Sequence, residues 1–243
     1  LPDDVGLLLA GGVEGDVRRA VGLLENAYFA AGLEPDAVIT REHVAAFDAG
    51  IGNFSDDVHY DLLGCLQKSI RGSDPDATAF YVAKMLALGE MFSLCRRLQV
   101  IASEDIGLAY PQAAAIVRAC CESARELGMP EAQIILAQAA TYVASAPKSN
   151  SAVTAISEAM DCVQHTKISG IPPYLQDAHY GGAGKLGHGI GYQYAHDYPK
   201  HYAKQQYLPD EIADRTFYHP VDHGYELKIR QYFAWIHGEE TKE

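Results

Sequence analysis

The sequence predicts an all-α protein, and three observations carry that prediction. Apolar residues recur at spacings of three and four along most of residues 1–170, glycines and prolines interrupt them at helical lengths, and no alternating stretch of strand type is sustained. Hydrophobic residues make up 48% and charged residues 21% of the 243, a composition of folded globular chains rather than disordered ones. No apolar run approaches the roughly 18 residues that a membrane span requires. The opening Leu1-Pro-Asp-Asp4 lacks a basic stretch followed by an apolar one, so no signal peptide is expected.

Residues 3–11 and 16–31 read as helices, the second through Ala20, Leu23, Leu24, Ala27 and Ala31. Gly11, Gly12 and Gly15 separate them, and Asp16 can cap the second. Val44 and Phe47 indicate a short helix after Thr40. The run from Asp48 to Asp57 is a linker by composition, so a domain boundary is expected there, dividing 1–50 from 51–243. From His59 an apolar stripe of Leu62, Leu63, Leu66 and Ile70 ends at Gly72, with Lys68 and Arg71 near the end that favours positive charge. Ser73-Asp74-Pro75-Asp76 then supplies a capping residue, a first-turn proline and an early acid. Further helices are expected to Gly89, over 92–106, from Pro111 to Leu127, from Pro130 to about Ser145, and from about Ser149 to His165. Short turns between them argue for antiparallel neighbours in a compact array. Residues 171–220 change character, with many tyrosines, glycines and prolines and little periodicity. This segment is expected to wrap the helical body, its rings buried and its hydroxyls bonded. A terminal helix from Asp222 to His237 uses Ile229, Tyr232, Phe233 and Ile236 as its apolar side.

Charge and cysteine content narrow the function. The net charge is −13, and each stretch of the chain (1–50, 51–170, 171–243) carries more acids than bases. A field of that sign repels phosphate polymers, and no basic arm offsets it. Cys65, Cys95, Cys120, Cys121 and Cys162 form an odd set without CxxC spacing, which reads as reduced core residues rather than a disulfide or metal framework.

Most apparent motifs dissolve on inspection. In Gly181-Gly-Ala-Gly-Lys185-Leu186, a phosphate loop would need glycine where His179 stands and Ser or Thr where Leu186 stands. His219 and His223 are four apart, but Pro220 obstructs a helical zinc face. His196 beside Asp197 lacks a recognisable nucleophile, and Glu104-Asp105 reads as a helix end rather than an acid–base pair. The sharpest chemical signal is Gly15-Asp-Val-Arg-Arg-Ala20 followed by Leu24-Glu25. Arg18 in a first helical turn can aim a planar guanidinium at a phosphate; the same residues also fit a capped helix with solvated arginines.

That hexapeptide resembles the sensor 2 region in the helical lid of AAA+ ATPases. Longer motifs resemble one family, the replication-associated recombination protein A (MgsA) group with its eukaryotic relative, the Werner helicase-interacting ATPase. They are His59-Tyr-Asp-Leu62, Lys68 to Ala77, Arg96-Arg-Leu98, Ile101-Ala-Ser-Glu-Asp-Ile-Gly-Leu108, Ala146-Pro-Lys-Ser-Asn150, Gly191 to Pro199, Tyr207-Leu-Pro-Asp210 and Phe217-Tyr-His-Pro220. The resemblance implies a partial AAA+ lid over 1–50 and a clamp-loader-like helical oligomerisation domain over 51–243. It implies Arg18 as the sensor 2 arginine, with Arg19 the alternative. Walker A, Walker B, sensor 1 and an arginine finger have no counterpart here, so the chain is expected to begin inside the lid and to hydrolyse no ATP alone. ATP and magnesium would serve the longer parent; no metal or cofactor is expected in this piece. The resemblance further implies a cytoplasmic, nucleoid-associated homotetramer acting on DNA in replication, repair and recombination, with single-strand DNA-binding protein as partner. A docking module for protein or DNA, with self-assembly secondary, is the competing reading. An independent helical enzyme is the third, and no motif supports it.

Overall fold

In the computed structural model, residues 1–12, 17–32, 37–45, 56–177 and 188–238 are described, with backbone alone at 11, 12, 18, 19, 56 and 57. The expected cap Asp16, the linker centre and the Gly181–Leu186 run lie outside them. The described residues form helices α1 (Asp3–Gly12), α2 (Val17–Ala30), α3 (Arg41–Ala45), α4 (Asp56–Arg71), α5 (Pro75–Ala87), α6 (Met91–Ile101), α7 (Ala113–Leu127), α8 (Ala132–Ser145), α9 (Ser151–His165) and α10 (Gly224–His237), and no strand. The fold is all-α, as the periodicity requires. No helix is long and apolar enough to cross a membrane among the described residues. The chain divides into two compact units, Leu1–Asn150 and Ser151–Glu243.

In the first unit α8 packs against α4, α5, α6 and α7. Its Ala132, Ala139, Ala140 and Ala144 are fully buried beside Leu136 and Val143. Small side chains let neighbouring helices approach closely, and Leu136 then fills the space between them. Leu66, Ile70, Leu94, Leu98, Ile101 and Ile106 complete this core. A smaller apolar cluster (Val5, Leu9, Leu23, Ala27, Ile39, Val44) joins α1, α2 and α3. The Asp74 cap forms as its sequence demands: its backbone is extended and its Oδ1 accepts from Ala77 N at 2.9 Å, with Pro75 in the first turn.

One expected helix is interrupted. Residues 92–106 read as continuous, but α6 stops at Ile101 and Ala102–Ile106 forms a π turn. The Asp105 carbonyl, one of the last in this helical stretch and so without a partner inside it, accepts from Ser149 N at 2.8 Å. Gly107 follows with φ +49°, and a Cβ there would lie 2.9 Å from Ser149 O. Only glycine fits so close an approach.

The second unit has helices at both ends, short 3-10 turns between them, and few buried groups. Cys162, Ala203, Ile212, Ser151 and Glu226 are buried. The tyrosines expected to bury their rings do not: Tyr192, Tyr194, Tyr198 and Tyr207 are 40–54% exposed. Polar bonds hold the segment instead. Gln205 Nε2 donates to Gln193 O at 2.7 Å while its Oε1 accepts from Gln193 N at 3.2 Å, and Tyr174 Oη donates to Gln206 O. Glu226 accepts from Ser151 Oγ, from Tyr218 Oη at 2.9 Å and from Val221 N at 3.0 Å.

Candidate functional site

Arg18 and Arg19 occupy the first turn of α2, the end where a helix dipole favours an anion. The same helix is anchored by its far side. Leu23 and Ala27 are buried, and Asn26 Nδ2 donates to Gly89 O at 2.7 Å. Gly89 has φ +73°, and a Cβ there would meet Asn26 Nδ2 at 3.0 Å. An added side chain at that turn would press on the anchor of α2.

Beside α2 opens a cleft of about 600 Å³. Val17, Val21 and Glu25 of α2 line it, together with apolar Leu63, Leu88, Phe92 and Val100 and polar His59, Glu90, Arg96 and Arg97. His59 is nearly buried, and its Nδ1 lies 3.0 Å from Glu90 Oε1. This pair ties the first turn of α4 to the residue that precedes α6. The cleft therefore combines two arginines and two glutamates with a largely apolar lining.

A second polar cluster unites several motifs that are remote in sequence. Arg71 Nε donates to Asp105 Oδ1 at 2.5 Å, Gln67 Nε2 donates to Asp105 Oδ2 at 3.0 Å, and Arg97 Nη1 donates to Gln67 Oε1 at 3.1 Å. Arg71 Nη2 also reaches Glu104 Oε1 at 3.3 Å. The hydrogen bond that Arg71 donates to Asp105 raises the guanidinium pKa above its ordinary value. Lys148 Nζ donates to Ala144 O at 2.8 Å and to Ala146 O at 2.5 Å, and burial pushes its pKa down. Glu104-Asp105 thus proves to be a junction rather than a catalytic pair. Periodicity could not reveal this, because the partners are supplied by α4, α6 and the 146–150 loop.

The other singled-out residues fall elsewhere. His196 packs its ring against Tyr194 and His201 at centroid distances of 5.1 and 5.2 Å. His223 Nδ1 contacts Asp222 Oδ1 at 3.2 Å. No group of three His, Cys, Asp or Glu side chains is placed to hold a metal among the described residues. All five cysteines are free; Cys95, Cys121 and Cys162 are buried and Cys65 and Cys120 half-buried. A hydrogen bond shared with Cys95 and then burial raise the Cys121 thiol, whereas burial raises Cys120.

The helical array, its π turn and the Asp105 junction form an all-α domain. Residues 72–237 match the family described as MgsA AAA+ ATPase C terminal, and the chain belongs to that family. It is 42% identical over 230 residues to replication-associated recombination protein A of Bacillus subtilis (strain 168), covering 92% of this chain and 55% of that protein. The Escherichia coli (strain K12) protein of the same name is 36% identical over 248 residues, covering 97% and 54%. ATPase WRNIP1 of Dictyostelium discoideum is 32% identical over 200 residues, covering 80% and 23%. The chain spans about half the length of the bacterial relatives.

Proposed function

We propose that this chain is the lid and homo-oligomerisation region of a DNA-dependent AAA+ ATPase acting in replication-fork maintenance and recombination. Residues 1–50 supply the lid remnant and 51–243 the assembly domain. Arg18, or Arg19 in its place, acts as the sensor 2 arginine on ATP and magnesium held by the parent's core. Single-strand DNA-binding protein and DNA are the parent's partners, in a cytoplasmic, nucleoid-associated setting.

One observation supports assembly above all. Helix α9 carries Ile156, Met160 and Val163 at one-turn spacings, and they are 59%, 49% and 65% exposed. An aliphatic stripe so open in a chain of net charge −13 is cost without return unless another surface covers it. A second copy is the occupant, because identical chains close readily under point-group symmetry. Light scattering on the 243-residue chain should give a tetramer of about 106 kDa, four chains of 26.4 kDa. Met160→Asp with Val163→Asp should reduce that mass while the far-ultraviolet circular dichroism stays helical. A wild-type mass of 26.4 kDa at micromolar concentration would remove the assembly reading. In the full-length parent, Arg18→Ala should slow ATP turnover by roughly one to two decades and leave the mass unchanged.

A further inference from the structure

We propose that the aromatic and basic face of α10, continued by residues 194–204, is a stacking platform for single-stranded nucleic acid. The inference rests on the DNA-directed reading above and assigns the contact to particular residues.

The helix divides its side chains sharply. Glu226, Ile229, Phe233 and Ile236 recur at spacings of three, four and three; Glu226 is fully buried and the others are half-buried. One residue back, a stripe rotated by about 100° carries Tyr225, Lys228, Tyr232 and Trp235 at the same spacings. Its rings are 48%, 52% and 54% exposed. Lys228 Nζ stands 5.9 Å from the Tyr225 ring centroid, and Lys200 Nζ stands 5.0 Å from that of Trp235. Lys200 Nζ also donates to Trp235 O, which ties the 194–204 segment to the end of the helix.

That segment extends the row of rings. Tyr194, His196 and His201 follow one another at 5.1 and 5.2 Å, and Tyr202 meets His237 at 5.0 Å. Lys200 and His201 hold this arrangement with φ of +62° and +51°, left-handed values that side-chain-bearing residues rarely adopt. Strain of that kind is tolerated where the surrounding contacts impose it.

Charge selects the partner. The one carboxylate within α10, Glu226, is turned inward and accepts three hydrogen bonds, so the exposed stripe presents Lys228 and its rings without an acid. Along 194–204, Lys200 and Lys204 stand against Asp197 alone. Elsewhere the chain is strongly acidic. A face that combines open π surfaces with ammonium groups matches the bases and phosphates of an unpaired strand. A symmetric contact through the same face would bring lysines toward lysines. From Tyr225 to Trp235 the helix rises about 15 Å, room for a short run of nucleotides. Few phosphates are neutralised, so stacking supplies most of the affinity and salt dependence is shallow.

Trp235 is the sole tryptophan of the chain, which makes its emission a local reporter. Titrating a labelled oligothymidylate into the 243-residue chain should quench that emission in step with the rise in anisotropy of the label. Tyr232→Ala with Trp235→Ala should weaken binding about tenfold or more, with the oligomer mass and melting temperature unchanged. Lys200→Ala with Lys228→Ala should make the log–log salt slope shallower by about 1.4. Saturable binding without a change in Trp235 emission, and of wild-type strength in the ring variant, would place the strand elsewhere while leaving the DNA-directed reading intact. No binding by the wild-type chain at low salt, with none by the full-length parent, would remove both. A fall in oligomer mass in the ring variant would show that a second copy covers this face and overturn the platform.

Discussion

In residues 1–150, α8 turns Leu136, Ala139, Ala140 and Val143 inward, and each is fully buried. In residues 151–243, α9 is a helix of similar length, yet Ile156, Met160 and Val163 remain at its surface. The first unit contains both apolar clusters found among the described residues, and the second contributes to neither. Burying one large aliphatic side chain is worth about 1.5–3 kcal/mol. The first unit collects that gain within one chain. The second relies on polar ties such as Glu226 with Ser151, Tyr218 and Val221, and leaves the apolar stripe of α9 exposed. Helix-forming sequence is therefore common to both units, while the means of holding a helix in place differs.

The hardest test of this contrast is Leu136→Ala. The side chain is fully buried between packed helices, so truncation should cost about 2–5 kcal/mol in denaturant unfolding of the first unit. A loss below about 1 kcal/mol would mean that the alanine-rich packing is loose, and the contrast with the second unit would fail.

Glu226→Ala probes the other side of the comparison. It leaves Ser151 Oγ, Tyr218 Oη and Val221 N without their shared acceptor and should cost about 2–3 kcal/mol locally. Amide hydrogen exchange should accelerate in the first turns of α9 and α10 while α4 to α8 stay protected. Equal acceleration in both units would show that they unfold together, and the two means of support would not be separable.

The smallest expected effect is a pH dependence confined to the second unit. Burial, and then the hydrogen bond to Glu226, push the Tyr218 phenol up to about 12. The unfolded chain loses that proton near pH 10, about where an ordinary tyrosine titrates. The contribution is thus complete below pH 10 and is lost as pH rises from 10 through 12, where the unfolded state binds fewer protons. With solvent screening it amounts to roughly 1 kcal/mol. Tyr142 in the first unit is also pushed up to about 12, chiefly by burial. Ultraviolet titration should therefore show two late tyrosines, and Tyr218→Phe should abolish one of them together with the loss of α9 and α10 protection above pH 10.

Much of the fold is legible because helices announce themselves locally. The stripe Leu62, Leu63, Leu66 and Ile70, and the start at Ser73-Asp74-Pro75-Asp76, need only their own neighbours to form, and α4 and α5 appear there. The π turn at Ala102–Ile106 is not legible, and the partners that meet Asp105 there, Ser149 N and Arg71, lie far along the chain. The same holds for the site residues. Arg18 is an expectation resting on Gly15-Asp16 and Leu24-Glu25 around it, whereas the contacts of Asp105, Gln67 and Lys148 emerge only when three elements meet. The Tyr-rich segment departs from the expected burial for a related reason. Aromatic content indicates rings that favour burial or stacking but does not say whether the covering surface belongs to the same chain.

The sequence by itself determined the all-α class, most helix boundaries and the family, because period, caps and breakers act over a few residues and long motifs are read directly. Tertiary structure alone decided where α6 gives way to a π turn, why Gly107 can carry no side chain, and that Glu226 faces inward while Tyr232 and Trp235 face out. Each of those outcomes depends on hydrogen-bond partners and steric neighbours from distant segments. Such pairings exist only once the chain has closed on itself, and no local pattern encodes them.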